Sequence, residues 1–217
     1  MSAGKRYKFN GSMVQVSTGT APTKIITGIT KANPAEITAA AHGLTLGAVA
    51  RVAEVVGMAE INDQLVVVDN PTTDDFEAAN INATGYNAYV SGGTLAPLTY
   101  SNFCELTGVN QQDGTADELD ATTICSTAKE FEQGLGDSGT MTLDYNYAPN
   151  TDLQAAMRAA KLSGEQIAIR ITMPKDGGTI VLIGTVQQTS FQGANGALWT
   201  GSATIRLTGE IFVLEAA

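Results

Sequence analysis

The chain offers few side chains that could perform acid–base or nucleophilic chemistry. His42 is its one histidine and lies in a turn-like segment, residues 41–44. A Ser-His-Asp triad or a histidine metal site would have to be built around it, but this position is typical of a structural turn histidine. Cys104 and Cys125 are far apart and form no CxxC pair. They predict two reduced thiols rather than a zinc site or a disulfide framework.

The acidic pairs and the glycine pair are also poor candidates for catalysis. Asp74 with Asp75, and Asp117 with Glu118, lie in acidic, turn-rich segments, whereas a catalytic carboxyl needs a desolvated cleft. Gly134 and Gly136 lack the rest of a dinucleotide fingerprint, and no GxxxxGK[ST] phosphate loop occurs. The sequence therefore predicts no catalytic residue, no cofactor and no metal, and a protein that is not an enzyme.

Charge is distributed unevenly along the chain. The 217 residues include 22 acidic and 12 basic side chains, for a formal net charge of −10. Such a surface repels phosphate and does not grip DNA. Lys5, Arg6 and Lys8 form a basic N-terminal arm, because no acidic residue occurs among the first 24. Neither this arm nor the short aliphatic runs predict a signal peptide or a membrane anchor.

Residues 98–217 have the pattern of an antiparallel β domain. Apolar and polar residues alternate in several runs, as in half-buried strands. The runs are residues 141–147, 167–173, 179–188, 203–207 and 210–214. One helix interrupts them, because Thr151 and Gln154 have capping-box spacing and Gly164 is a plausible C-terminal stop. Its apolar stripe of Leu153, Ala156, Met157 and Ala160 predicts a helix that covers one face of the sheet.

Residues 25–97 predict a separate small β module. Short candidate strands are separated by Asn-Pro and Gly-Gly turn signals, which is typical of a small barrel or sandwich. They are residues 25–30, 36–40, 48–55, 64–68, 75–79 and 88–90. A first strand at 13–17 precedes the module and another at 101–106 follows it. The sequence thus predicts a discontinuous main domain, 1–24 with 98–217, and an insert at 25–97.

An acidic segment lies between the strands of the main domain. Residues 109–123 contain Asp113, Asp117, Glu118 and Asp120 without a basic residue. The segment shows no helix or strand pattern, and loops of about 15 residues without secondary structure are usually functional or disordered. We therefore predict a loop here.

Residues 117–139 resemble a signature of the tail tube proteins, or major tail proteins, of long-tailed bacteriophages. An acidic residue followed by Thr122 and Thr123 opens the pattern, and the other matching positions are Ser126, Glu130, Gly134, Asp137 and Gly139. The order of strand, short helix and strand pairs that follows is also similar to this family. The resemblance covers residues 98–217 and the opening strand near residues 11–17.

The resemblance implies a β-sandwich or barrel with one flanking α-helix, assembled into hexameric rings that stack into a hollow tube. Viral DNA would pass through the tube into the host without specific binding. The implied partners are other copies of the chain and the tape measure, tail terminator and tail tip proteins. The implied location is the virion tail, assembled in the host cytoplasm. An acidic lumen fits this function, since cationic contacts with phosphate would slow DNA.

Assembly would also give the charged segments a function. We expect the loop residues Asp113, Asp117, Glu118 and Asp120 to contact the arm residues Lys5, Arg6 and Lys8 of a neighbouring subunit. The insert is similar to a small β module of phage tail proteins, and in kind to the first catalytic-cysteine half-domain of ubiquitin-activating enzymes. It contains no cysteine, so no ubiquitin chemistry carries over.

Two other function classes remain open. A carbohydrate- or receptor-binding β module of a tail tip or cell surface is compatible with a β-rich chain. Aromatic residues make up only 6% of the sequence, however, and sugar sites usually expose more of them. A hydrolase is disfavoured by the single histidine.

Overall fold

The computed structural model describes residues 6–215, which form sixteen strands, one α-helix and a 3-10 turn at Ala59–Ile61. The strands are β1 (Met13–Thr20), β2 (Lys24–Ile25), β3 (Gly28–Ile29), β4 (Ala35–Thr38), β5 (Val49–Val56), β6 (Leu65–Asp69), β7 (Asp75–Ala78), β8 (Ser91–Asn102), β9 (Leu106–Gln112), β10 (Glu118–Asp120), β11 (Phe131–Gln133), β12 (Thr140–Asn146), β13 (Gln166–Thr172), β14 (Thr179–Gln192), β15 (Thr200–Leu207) and β16 (Phe212–Leu214). The helix α1 is Asp152–Ser163. The predicted fold class, mainly antiparallel β with one flanking helix, is confirmed.

Most strands belong to one continuous antiparallel sheet. Its order is β3-β4-β7-β6-β5-β8-β1-β13-β14-β15-β12-β9, with β16 beside β14 and β2 beside β8. The sheet bends around a core, because Val14 and Val16 of β1 share one buried cluster with Leu143 of β12 and Ile205 of β15. In β12 the alternation predicted from the sequence buries Met141, Leu143 and Tyr145 on one face.

Helix α1 follows β12 and covers this core. Leu153, Met157 and Ala160 are buried, as the apolar stripe predicted, and Gly164 ends the helix in the left-handed conformation at φ 73°. The predicted capping box does not form: Thr151 makes no side-chain cap bond, and Gln154 turns inward. Its amide donates to the Asn146 carbonyl and its Oε1 accepts the Ala148 N–H, at 3.1 and 3.0 Å.

The insert has a core of its own and a second one that it shares with the main domain. Side chains such as Ile37, Phe76 and Leu95 form a cluster within residues 26–95. A third cluster joins the two parts, with Val49, Leu65 and Val67 from the insert and Ala168, Val181, Ile183 and Leu214 from the main domain. The division into 1–24 with 98–217 and 25–97 stays a proposal, and its boundary at 97/98 lies inside β8.

Strand β8 connects the two parts. Its first half pairs with β5, from Ser91 opposite Val56 to Pro97 opposite Ala50. Its second half pairs with β1, from Leu98 opposite Thr20 to Asn102 opposite Gln15. Tyr100 lies on this half, where burial raises its pKa to about 12 although the nearby Arg170 guanidinium opposes the shift.

Several predicted segments were wrong in their bounds. Residues 88–90 form no strand, and the strand predicted at 101–106 is instead the end of β8 followed by a turn at Cys104 and Glu105. The segment 109–123 is not all loop, since it contains the end of β9 and the whole of β10. Strand β14 continues to Gln192, because its polar second half is held by pairing with β15.

We expect Gln154→Ala to destabilise the protein. Gln154 is only 1% exposed, and its loss would leave the N–H of Ala148 and the carbonyl of Asn146 without their partner. An unsatisfied buried polar group costs about 1–3 kcal/mol. Denaturant unfolding should therefore show a lower free energy of unfolding for this variant, while Gln188→Ala, at an exposed strand position, should differ little from the parent. Equal stability of both variants would contradict a structural function for Gln154.

Candidate assembly surface

Residues 113–139 form a protruding hairpin between β9 and β12. Its two short strands, β10 and β11, pair antiparallel, with Glu118 opposite Gln133 and Asp120 opposite Phe131. At its base Gln112 of β9 pairs with Thr140 of β12. From Asp113 to Ser138 no residue of the hairpin is buried. The hairpin thus stands away from the cores of the chain and is supported by its own backbone hydrogen bonds.

The tip of the hairpin is organised by residues of the family-like signature. The Thr122 hydroxyl accepts the Glu130 N–H at 3.1 Å, and Ser126 Oγ accepts the Thr123 N–H at 3.0 Å. The structure therefore brings Thr122, Thr123, Ser126 and Glu130 together. Thr122 donates hydrogen bonds to the Asp120 carboxylate from its side chain and from its backbone N–H, and these bonds lower the pKa of Asp120. The side-chain bond has the larger effect. These bonds hold a tight turn, which is the local function of the Thr-Thr pair.

The remaining signature residues lie nearer the base. The Gly134 N–H donates to the Asp117 carbonyl at 2.6 Å. Asp137 Oδ1 accepts the Gly139 N–H at 2.9 Å, and Asp137 Oδ2 pairs with the Arg206 guanidinium of β15 at 2.7 Å. Gly139 has φ +85° and abuts the Gln112 carbonyl. Asp137 and Gly139 therefore fasten the hairpin to the sheet.

The four acidic residues predicted to form an interface are all exposed in the hairpin. Asp117, Glu118 and Asp120 lie in or beside β10, and Asp113 lies at the base, where its Oδ1 accepts the Gln111 amide at 2.7 Å. None of them forms an ion pair with a residue in 6–215, where Asp137 with Arg206 is the one salt bridge. Their charges are therefore free to meet a cation from another molecule.

The basic arm lies elsewhere on the chain. Arg6 and Lys8 are exposed, and Lys5 lies outside the described residues. The arm leads into a groove formed by residues 9–14 with Leu106 and Thr107, at the start of β9. The hairpin leaves the sheet at the other end of β9. The described part of one chain thus does not bring the arm and the acidic residues together.

An aromatic surface that the sequence did not predict lies at the end of β12 and β15 that is opposite to the hairpin. We define it as Tyr147, Phe191, Leu198 and Trp199. Tyr147 stacks on Phe191 with ring centroids 4.9 Å apart, Phe191 lies 6.2 Å from Trp199, and the Tyr147 N–H donates to the Trp199 carbonyl at 2.8 Å. Little in the sequence indicates this surface, because Tyr147 and Trp199 are far apart along the chain and meet only through the pairing of β12 and β15.

The histidine and the two cysteines are the side chains that could perform acid–base or nucleophilic chemistry. His42 is buried, its Nδ1 accepts the Leu44 N–H at 3.0 Å, and its ring meets Phe76 edge-on at 5.3 Å. Cys104 and Cys125 are both exposed. Among residues 6–215 no three His, Cys, Asp or Glu side chains form a possible metal cluster, and no helix there is long and apolar enough to cross a membrane.

A groove of about 700 Å³ runs between the insert and the main domain. Several of its polar side chains are amides that already serve the backbone. Asn62 bonds both the N–H and the carbonyl of Val55, and Asn80 bonds the Val67 N–H and the Leu65 carbonyl. These amides are therefore committed to the fold and are not free to bind a sugar.

We expect Gly139→Ala to weaken the base of the hairpin. A Cβ at Gly139 would meet the Gln112 carbonyl, and the positive φ disfavours any L side chain, so the cost is of order 1–3 kcal/mol. Gly136→Ala is the matched control, since a Cβ there meets nothing within 4 Å. Thermal unfolding should show a lower Tm for the first variant only. A drop of the same size in both would contradict the packing described at Gln112.

Comparison with known proteins locates a family within the chain. Residues 79–179 match the family described as "Phage tail tube, TTP, lambda-like", and this region contains the whole hairpin and α1. A solved structure described as "Tail of empty GTA particle computed with helical refinement, C6 symmetry" is 15% identical, with a TM-score of 0.41 over 54% of this chain and 87% of that chain. A search of curated proteins gave no match.

The family match bears on the resemblance predicted from residues 117–139, because all of them lie inside the matched region. The predicted resemblance is confirmed. Residues 79–179 of this chain are similar to the lambda-like phage tail tube family, and this match supports a structural function in a phage-like tail.

Proposed function

We propose that the chain is a tail tube subunit whose copies form hexameric rings that stack into a hollow tube. The observation that carries this proposal is the hairpin of residues 113–139. It lies inside the family region and exposes apolar side chains, with Ile124 104% and Leu135 89% accessible. Such exposure costs stability in a monomer and is repaid when a partner covers it.

A free sheet edge also supports ring formation. Strand β9 ends the strand order of the main sheet, so its outer edge has no partner among the described strands. Exposed edges are templates for pairing with another chain, and closure of a ring removes them. A neighbouring subunit in the ring would therefore satisfy the free backbone groups of Leu106–Gln112.

The acidic charge suits a conduit for DNA. A net charge of −10 per subunit disfavours binding of phosphate, and fewer cationic contacts allow DNA to move. We propose that viral DNA passes through the tube without specific binding. No catalytic step is required of the subunit.

The insert, residues 25–97, is proposed to lie on the outside of the tube. It folds around its own apolar cluster, and a module of this size is too bulky for a narrow lumen. The tape measure, tail terminator and tail tip proteins are the proposed further partners. Assembly takes place in the host cytoplasm, and the finished location is the virion tail.

The first test is assembly of the purified protein. We expect rings and hollow tubes in electron micrographs without nucleotide or metal, because subunit contacts alone supply the free energy of assembly. A supplied tail initiator should raise the yield. Strict monomers at high concentration, with the initiator present, would contradict the proposed function.

The second test concerns contact between the acidic hairpin and the basic arm of a neighbour. Asp117→Lys with Asp120→Lys should reduce tube yield, and added Lys5→Glu and Arg6→Glu changes should partly restore it. Exposed ion pairs contribute only about 0.2–1 kcal/mol each, so the effect depends on repetition and should be sensitive to salt.

The control makes the same change of net charge elsewhere. Glu36 and Glu165 are exposed and lie outside the hairpin, so Glu36→Lys with Glu165→Lys should leave the tube yield near that of the parent. Sedimentation and electron microscopy measure all three variants at several salt concentrations. Equal loss in the control pair would show that net charge, and not the hairpin, governs assembly.

A further inference from the structure

Four neighbouring strands of the main sheet share a polar face on the side opposite the core. In sheet order they are β14, β15, β12 and β9. The inward residues of β12 are buried, and the residues that alternate with them, Thr140, Thr142, Asp144 and Asn146, point the other way. We define the polar face as these four side chains, the residues of β9 and β15 that pair with them, and the residues of β14 that pair with that row of β15.

The polar face is almost free of charge. Apart from Gly108, Asp144 and Arg206, every residue in it is Ser, Thr, Asn or Gln. Arg206 is the one cation of the face, and its guanidinium is paired with the Asp137 carboxylate at 2.7 Å. The face therefore presents no unpaired positive charge, although the chain contains 12 basic side chains.

Both outer edges of this four-stranded unit are open. Strand β9 pairs with β12 on one side only, and β13 pairs with β14 only as far as Thr185. Residues 187–192 of β14 thus have β15 as their one partner among the described strands. Neighbouring strands of the unit are all antiparallel, so β14 and β9 run in opposite directions. The β9 edge of one copy can therefore pair antiparallel with the β14 edge of the next copy around a ring.

The body of the subunit lies on the other side of this unit. The buried cluster that includes Leu143 of β12 and Ile205 of β15 also contains Val16 of β1 and Met157 of α1. If the units closed into a ring of strands, these bodies would fit only on the outside, because the space inside a ring narrows toward its axis. The polar face would then line the channel.

We propose that the polar face lines the channel of the tube and that Asp137 keeps this face free of positive charge by pairing with Arg206. The inference rests on the proposed function, since it names the surface that passing DNA would meet. An unpaired arginine would recur in every subunit of every ring. Each cation that neutralises a phosphate releases counterions and favours binding, so many weak contacts along the tube would add up and hold the DNA.

The first experiment determines which way the polar face points. Ser190 is an exposed member of the face, and Ser190→Cys combined with Cys104→Ser and Cys125→Ser leaves one thiol in the chain. In the unassembled protein this thiol should react both with a small maleimide and with a maleimide attached to a bulky polyethylene glycol. In tubes only the small reagent should react quickly, because the bulky one does not enter the channel.

The control places the thiol on the body of the subunit. Leu162 is exposed on α1, so Leu162→Cys in the same cysteine-free background should react with both reagents before and after assembly. Rapid reaction of Ser190→Cys tubes with the bulky reagent would overturn the inference while leaving tube formation, and hence the proposed function, intact.

The second experiment removes the partner of Arg206. Asp137→Asn eliminates the negative charge but keeps an oxygen that can accept the Gly139 N–H. Tubes of this variant, mixed with a short fluorescent DNA duplex and sedimented, should carry several-fold more nuclease-resistant DNA than parent tubes, and the excess should fall as salt rises. Adding Arg206→Gln should return the DNA to the parent level. Glu165→Gln makes the same change of net charge at an exposed position outside the polar face and should also stay at that level.

Ser202→Lys is an independent variant, because it adds a cation to the middle of the polar face and leaves the hairpin unchanged. Its tubes should retain DNA in the same salt-dependent way. Assembled tubes of either variant that hold no more DNA than the parent would overturn the inference. Failure of the parent protein itself to form tubes would instead contradict the proposed function.

Discussion

The antiparallel pairing of β9, β12 and β15 is the constraint on which the functional surfaces depend. Backbone hydrogen bonds run along the whole of β12 on both sides, to β9 and to β15, and its inward side chains Met141, Leu143 and Tyr145 are buried. A strand held on two edges and one face has little freedom to bend or slide. The hairpin at one end and the aromatic surface at the other are therefore held at a fixed separation.

The way in which the hairpin is fixed to the paired strands explains why its apolar side chains stay exposed. Ile124 and Leu135 are kept out of the core because the hairpin is closed on itself by β10 and β11 and fastened by Asp137 to Arg206. This ion pair is exposed and contributes little to stability on its own. The geometry of Gly139 adds the stronger constraint, since only glycine fits its conformation and its approach to Gln112. The backbone conformation at Gly139 thus sets the direction in which the hairpin projects, and the ion pair of Asp137 with Arg206 has a smaller effect on it.

Much of the fold could be predicted because its patterns are local. Alternating residues identified β12, β13 and β15 with small errors, and Gly164 marked the end of α1. The spacing of Gln154 from Thr151 fits a capping box, but Gln154 is buried and its side chain bonds the backbone of Asn146 and Ala148 instead. Strands β10 and β11 were missed because neither has an apolar face. Their pairing depends on the turn chemistry of Thr122 and Ser126, which leaves little trace in a hydropathy pattern.

The residues of the candidate site also divide into those that could be predicted from the sequence and those that could not. The acidic residues and the signature were visible in the sequence since they are contiguous, whereas the aromatic surface was not, because Tyr147 and Trp199 meet only after β12 and β15 have paired. The contacts of the insert with the main sheet could not be predicted either, because they join segments that are far apart along the chain. Its pattern suggested an independent module, but Val49, Leu65 and Val67 pack on Ala168, Val181 and Ile183, and β8 pairs with strands of both parts. Removing the insert would uncover apolar side chains of the main sheet and cut β8 in half. We therefore expect the contacts of residues 25–97 with the main sheet to contribute to the stability of that sheet.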